Sequence, residues 1–108
     1  MGRQDDMSGT GGRAAAVRAA LPVTVKLSPV LCDLFPGSRR EVTMAAASVG
    51  EMIDELDRLW PGMGDRIRDT RPAIRKHMNV FVEGERATLK TSLAPGDEVY
   101  VLTAISGG

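Results

Sequence analysis

The chain has 108 residues, 14 Lys and Arg against 14 Asp and Glu, one His, one Cys and 4% aromatic residues. The length suits one domain, and a formal net charge of zero excludes a binder that neutralises nucleic-acid phosphates. One cysteine excludes an internal disulfide framework and any all-cysteine zinc or iron–sulfur site made by this chain alone, and the scarcity of aromatics removes the stacking surface of single-strand binders.

Residues 1–20 carry no large apolar side chain beyond Met1, Met7 and Val17, with Gly9, Gly11 and Gly12 close together. Such a stretch buries too little apolar surface to offset its ordering entropy, so it is expected to be a disordered tail. The domain is expected to span 21–108. Ala14 to Val25 is interrupted by Arg18 and Pro22, well short of the roughly 20 apolar residues of a membrane span. No secretory cleavage pattern follows, and Asp6 stands where a myristoylation signal wants Ser or Thr. With an unpaired cysteine, the expected compartment is the cytoplasm, with no membrane partner.

From Leu21 the periodicities are clear. Val23, Val25 and Leu27 alternate with Thr24, Lys26 and Ser28, the period of a half-buried strand. Pro29 is read as its end, and a long, partly apolar turn closing on Phe35-Pro36-Gly37-Ser38 leads to a second strand over Arg39 to Met44. Ser48-Val49-Gly50-Glu51 fits a capping box. Val49, Met52, Ile53, Leu56, Leu59 and Trp60 follow as an apolar helical stripe, with Asp54, Glu55, Asp57 and Arg58 on the other face. Pro61-Gly62 stops that helix.

Residues 63–77 set Arg66, Arg68, Arg71, Arg75 and Lys76 against Asp65 and Asp69. They read as a solvated loop with one short helical turn, the alternative being an anion or partner-docking patch. His77 has no second metal-ligand candidate nearby, and no metal site is expected. Met78, Val80 and Val82 alternate with Asn79 and Phe81, and Glu83-Gly84 sits where a hairpin turns. After Leu89 and Leu93, Ala94-Pro95-Gly96-Asp97 reads as a type II turn. Val99 and Val101 then alternate with Tyr100 and Leu102 in a last strand before Thr103-Ala104-Ile105-Ser106-Gly107-Gly108. The order predicts an α+β layer: a mixed sheet of four to five strands with one main helix packed across it.

That order, Trp60-Pro61-Gly62, Asn79-Val80-Phe81-Val82-Glu83-Gly84, Pro95-Gly96-Asp97-Glu98-Val99 and the terminal Gly107-Gly108 resemble the MoaD/ThiS family of ubiquitin-like β-grasp sulfur carriers, over about residues 22–108. There are departures. Glu83-Gly84 stands where relatives often have Asn-Gly, and Thr103-Ala104 where the small molybdopterin-synthase subunit commonly has two prolines. The stretch from Gly62 to Met78 is longer than in compact thiamine-type carriers, which makes the chain more similar to variants serving cysteine or other sulfur-transfer pathways.

The resemblance implies that Gly108 is adenylated by an ATP-dependent enzyme of the ubiquitin-activating type and converted, with a sulfur donor, to a thiocarboxylate. The acceptor enzyme would be of the kind of a large molybdopterin-synthase subunit, a thiazole synthase or a cysteine synthase. The chain would then be a co-substrate with no bound cofactor, ATP being consumed by the activating enzyme. Glycine lacks a side chain, so Gly107, with Ser106 and Ile105 before it, suits a tail threaded into a partner's channel. Strand alternation turns Tyr100 and Leu102 away from the helix, and with Phe81 they form the expected docking patch. Cys32 reads as a small buried hydrophobe, the alternative being a thioester or acyl-disulfide link. Two alternatives stay open: a protein modifier conjugated through Gly108, and a β-grasp interaction module. No convergent acid, base and nucleophile set is visible, so the chain is not expected to be an enzyme.

Overall fold

The computed structural model describes residues 21–104; the expected tail over 1–20 and the terminal Ile105, Ser106, Gly107 and Gly108 lie outside the described residues. In chain order the elements are strand β1 (Val23–Leu27), helix α1 (Pro29–Asp33), strand β2 (Glu41–Met44), helix α2 (Val49–Leu59) and helix α3 (Met63–Ile67). A small hairpin follows, β3 (Arg68–Asp69) with β4 (Ala73–Ile74), and then β5 (Met78–Val82), β6 (Glu85–Arg86) and β7 (Glu98–Thr103).

Five strands form one mixed sheet in the order β2-β1-β7-β5-β6, with β3 and β4 in a separate two-stranded sheet. β1 and β7 run parallel at its centre, and the remaining pairs are antiparallel. The alternation read from the sequence sets one face inward. Val23, Val25 and Leu27 of β1, Val42 and Met44 of β2, Met78 and Val80 of β5, and Val99 and Val101 of β7 are all buried. Across them lie Val49, Met52, Ile53 and Leu56 of α2, each with no exposed surface. This is the β-grasp arrangement, a sheet holding a single main helix.

Local chemistry fixes the ends of α2. The Ser48 hydroxyl accepts the Glu51 amide N–H at 3.2 Å, as a capping box requires. The Glu51 carboxylate departs from that pattern: it accepts the amide of Ala47, one residue before the cap, at 3.0 Å. At the other end Gly62 takes φ +98°, a left-handed conformation that glycine adopts at no steric cost. Asp57 Oδ1 accepts both the Gly62 and the Gly64 amides, at 3.1 and 2.9 Å, and so ties α2 to α3.

Two expectations are corrected. The long turn after β1 contains α1: the buried Ser28 hydroxyl accepts the Leu31 amide at 3.1 Å, and Pro29 occupies the first turn, where its missing N–H costs nothing. Pro29 therefore starts a helix as well as ending a strand. Residues 63–77 are likewise more than a solvated loop, because Met63 and Ile67 of α3 are fully buried in the core. Arg71 closes the β3–β4 hairpin on Asp69, donating its backbone N–H to Oδ1 at 2.8 Å and its guanidinium to Oδ2 at 2.7 Å. Cys32 is half-buried on α1, with its thiol against the Arg39 carbonyl at 3.6 Å.

Candidate functional site

The chain end is carried by the best-secured strand of the sheet. β7 is paired along its length, with Thr24 to Leu27 on one side and Met78 to Val82 on the other. Beyond the regular ladders, the Ser28 amide donates to the Val101 carbonyl at 2.9 Å and the Ala104 amide to the His77 carbonyl at 2.7 Å. The backbone is thus held as far as Ala104, four residues before the C-terminus. At 3.3–3.6 Å per extended residue, the last four can reach about 14 Å from that point.

Phe81, Tyr100 and Leu102 are brought together on the outward face of the sheet. Phe81 sits directly opposite Tyr100, and Leu102 opposite Asn79, which leaves Leu102 and Phe81 as diagonal neighbours. Leu102 is 37% exposed, while Tyr100 and Phe81 are half-buried. Strand pairing adds two residues that sequence reading missed. Lys26 lies opposite Tyr100, with its ammonium 5.3 Å from the ring centroid and 3.8 Å from the Glu98 carboxylate. Its hydrogen bond to the Tyr100 hydroxyl, and then the Glu98 charge, hold its pKa above the ordinary lysine value. Alternation alone puts Lys26 outward, but its place over Tyr100 follows from the β1–β7 register, which no local sequence signal encodes.

The opposite flank of the tail's root is a groove of about 670 Å³ between α1, the 63–77 segment and the ends of β5 and β7. Thr103 and Ala104 form part of its wall. His77 is exposed at its edge and contributes its carbonyl to the strand ladder. Among the described residues there is no cluster of three or more His, Cys, Asp and Glu side chains able to hold a metal ion, and no helix is long and apolar enough to cross a membrane. The predicted Ile105, Ser106, Gly107 and Gly108 lie outside the described residues, so the structure supplies the platform from which they leave.

Comparison with known proteins agrees with this geometry. Residues 33–108 match the model of the ThiS family. The sulfur carrier protein CysO of Mycobacterium tuberculosis is 28% identical over 92 residues, covering 80% of this chain and 98% of its own. The molybdopterin synthase sulfur carrier subunit of the same organism is 32% identical over 77 residues, 71% of this chain and 82% of its own. The crystal structure of SAMP1 from Haloferax volcanii superposes with a TM-score of 0.68 at 31% identity, covering 81% of this chain and 99% of that one.

Proposed function

The chain belongs to the ThiS family, and from that premise we propose that it is a sulfur carrier working through its C-terminal glycine. The observation that carries the reading is β7, a central strand held on both sides as far as Val101 and on the β5 side to Ala104, followed by four residues that end in Gly107-Gly108. A chain-terminal carboxylate is a poor electrophile. An adenylating enzyme of the ubiquitin-activating type makes it reactive: the Gly108 carboxylate attacks the α-phosphorus of ATP, pyrophosphate leaves, and an acyl adenylate remains. A sulfide equivalent from a sulfur donor then displaces AMP and leaves a thiocarboxylate. That soft nucleophile is delivered to an acceptor enzyme, of which a large molybdopterin-synthase subunit, a thiazole synthase and a cysteine synthase are the candidate types.

The carrier's own residues bind and position. Leu102, Tyr100 and Phe81 form the docking face, while Gly107, Ser106 and Ile105 thread the carboxylate to the reacting centre. The catalytic groups belong to the partners, so the chain is a co-substrate, and ATP is the activating enzyme's substrate. The cytoplasm, where thiols stay reduced, suits such a thiocarboxylate.

A second reading, a modifier joined to lysine through Gly108, is favoured by the 31% identity to SAMP1, the small archaeal modifier protein 1 of Haloferax volcanii. Intact mass spectrometry separates the two. Incubation with an adenylating enzyme, ATP and a sulfur donor is expected to exchange one oxygen for sulfur, and deletion of Gly107 and Gly108 to abolish the change. Isopeptide-linked adducts without a thiocarboxylate would establish the modifier instead, and no mass change would sink both readings.

A further inference from the structure

The cationic segment 63–77 is unused by the carrier chemistry, yet the fold sets it at the root of the tail. Arg66, Arg71, Arg75 and Lys76 line the groove with Asp65 and Asp69. Arg71 is paired with Asp69 at 2.7 Å, which leaves Arg66, Arg75 and Lys76 facing the single carboxylate of Asp65. None of these three cations lies in a salt bridge among the described residues. Arg75 is held in place by its guanidinium bond to the Asp65 carbonyl. The groove therefore carries surplus positive charge in a chain whose formal net charge is zero. Its lining includes apolar side chains: Leu34, 49% exposed just past the end of α1, and the buried Leu31 and Met78.

We infer that this groove docks an acidic segment of the protein that receives the tail, with an apolar side chain of that segment seated on Leu34. The inference rests on the reading of the tail as the delivered group. Because Thr103 and Ala104 form part of the wall, a protein that takes the tail must pass beside the groove. Charge complementarity selects carboxylates, and the apolar part of the lining selects a segment that interrupts them with one aliphatic residue. The groove thus adds an electrostatic contact to the apolar one made by Leu102 on the sheet, and the two flank the departing strand. Contacts of this kind steer encounter and weaken as salt shortens the Debye length to about 8 Å at physiological ionic strength.

The test uses the full chain and a synthetic peptide of four glutamates flanking one leucine. In amide NMR spectra, saturable shifts confined to residues 31–34, 65–78, Thr103 and Ala104 are expected. They should be lost with the glutamine analogue and in the Arg75→Glu/Lys76→Glu variant. Lys76→Glu alone serves if the double variant fails to fold, since the Lys76 side chain makes no hydrogen bond among the described residues. Shifts spread over Arg39, Arg58 and Lys90, or absent altogether, overturn the inference. It also falls if removal of 105–108 moves the same amides and tightens peptide binding, because the chain's own carboxylate would then be the occupant. With an adenylating enzyme the same variants should raise KM for the carrier at least tenfold at low salt while kcat holds, and an unchanged KM overturns the inference. A wild-type chain that is never adenylated defeats the carrier reading alone, and the peptide titration still decides the groove.

Discussion

Adjacent residues of β7 should report on different properties, because Val101 has no exposed surface and Leu102 lies 37% exposed on the opposite face. Val101→Ala removes two buried carbons. At about 0.8 kcal/mol each, with a smaller cavity contribution, the cost is about 2 kcal/mol. For a domain of this size that lowers the melting temperature by roughly 8–16 °C. Leu102→Gln should cost the fold only about 1 kcal/mol, since glutamine keeps most of the volume and its methylenes against the sheet while its amide reaches water at this partly exposed position. On docking, the exposed third of Leu102 stands to gain roughly 0.5–1 kcal/mol from burial. A glutamine there forfeits that gain and leaves a buried amide without a partner, at a further 1–3 kcal/mol. The sum, roughly 1.5–4 kcal/mol, is at least about a tenfold rise in KM for the carrier. The assay is ATP–pyrophosphate exchange by the adenylating enzyme with the carrier as varied substrate, run below the melting range of both variants, with urea titration for stability. Val101→Ala should shift the urea midpoint and leave KM within twofold, and Leu102→Gln should do the reverse. A Leu102→Gln chain with wild-type KM would refute the assignment of the outward face as the docking surface.

Ser48→Ala, which deletes the hydroxyl accepting the Glu51 amide, should cost about 1 kcal/mol in a urea titration. At Gly84, φ is +86° and an added Cβ would meet nothing within 4 Å. Gly84→Ala should therefore cost roughly 1–2 kcal/mol through backbone strain alone, and Gly84→Asn distinctly less by the same titration. Asp69 has its pKa held below the ordinary carboxylate value, first by the Arg71 guanidinium and then by the Arg71 backbone N–H. Its contribution is complete above the unfolded value near pH 4 and is lost as pH falls through its lower folded value. Asp69→Asn should therefore flatten the acid limb of stability against pH below about pH 4, as read from urea midpoints, and leave the slope near neutrality unchanged.

What could be read from the chain before folding was set by periodicity. Alternation in β1, β5 and β7 and the 3.6-residue stripe of α2 each assign a face by a local rule, so the core and the outward turn of Tyr100 and Leu102 follow directly. Ser28-Pro29 shows how one signal serves two elements. Proline ends a strand and also begins a helix, and the serine before it is the cap that decides for α1. Met63 and Ile67 escaped because a single buried turn among five cations resembles a solvated loop until α2 is seen to cover it. The Lys26–Tyr100–Glu98 group and the groove beside Ala104 depend on registers between residues more than 70 and about 25 apart in the chain. No window of the sequence carries that information.

If Gly108 is the delivered group, the length of chain beyond Ala104 constrains how a partner can be built. Four residues reach about 14 Å at most, and they start from a strand whose Ala104 amide is already committed to His77. A reacting centre deeper than that in an enzyme can be reached only if the enzyme closes around the end of β7. Closure on one side meets Leu102, two residues before Ala104. Closure on the other meets Leu34, Arg75 and Lys76, in the groove that Ala104 itself helps to line. On the proposed reading, a short tail and two flanking contacts answer one requirement from two sides. Lengthening the tail by inserting glycines before Gly107 should relax the dependence on both contacts together. In ATP–pyrophosphate exchange, the KM penalties of Leu102→Gln and Lys76→Glu should shrink in parallel as residues are added. Penalties that stay constant with tail length would show that the contacts fix orientation and do not answer the limit of reach.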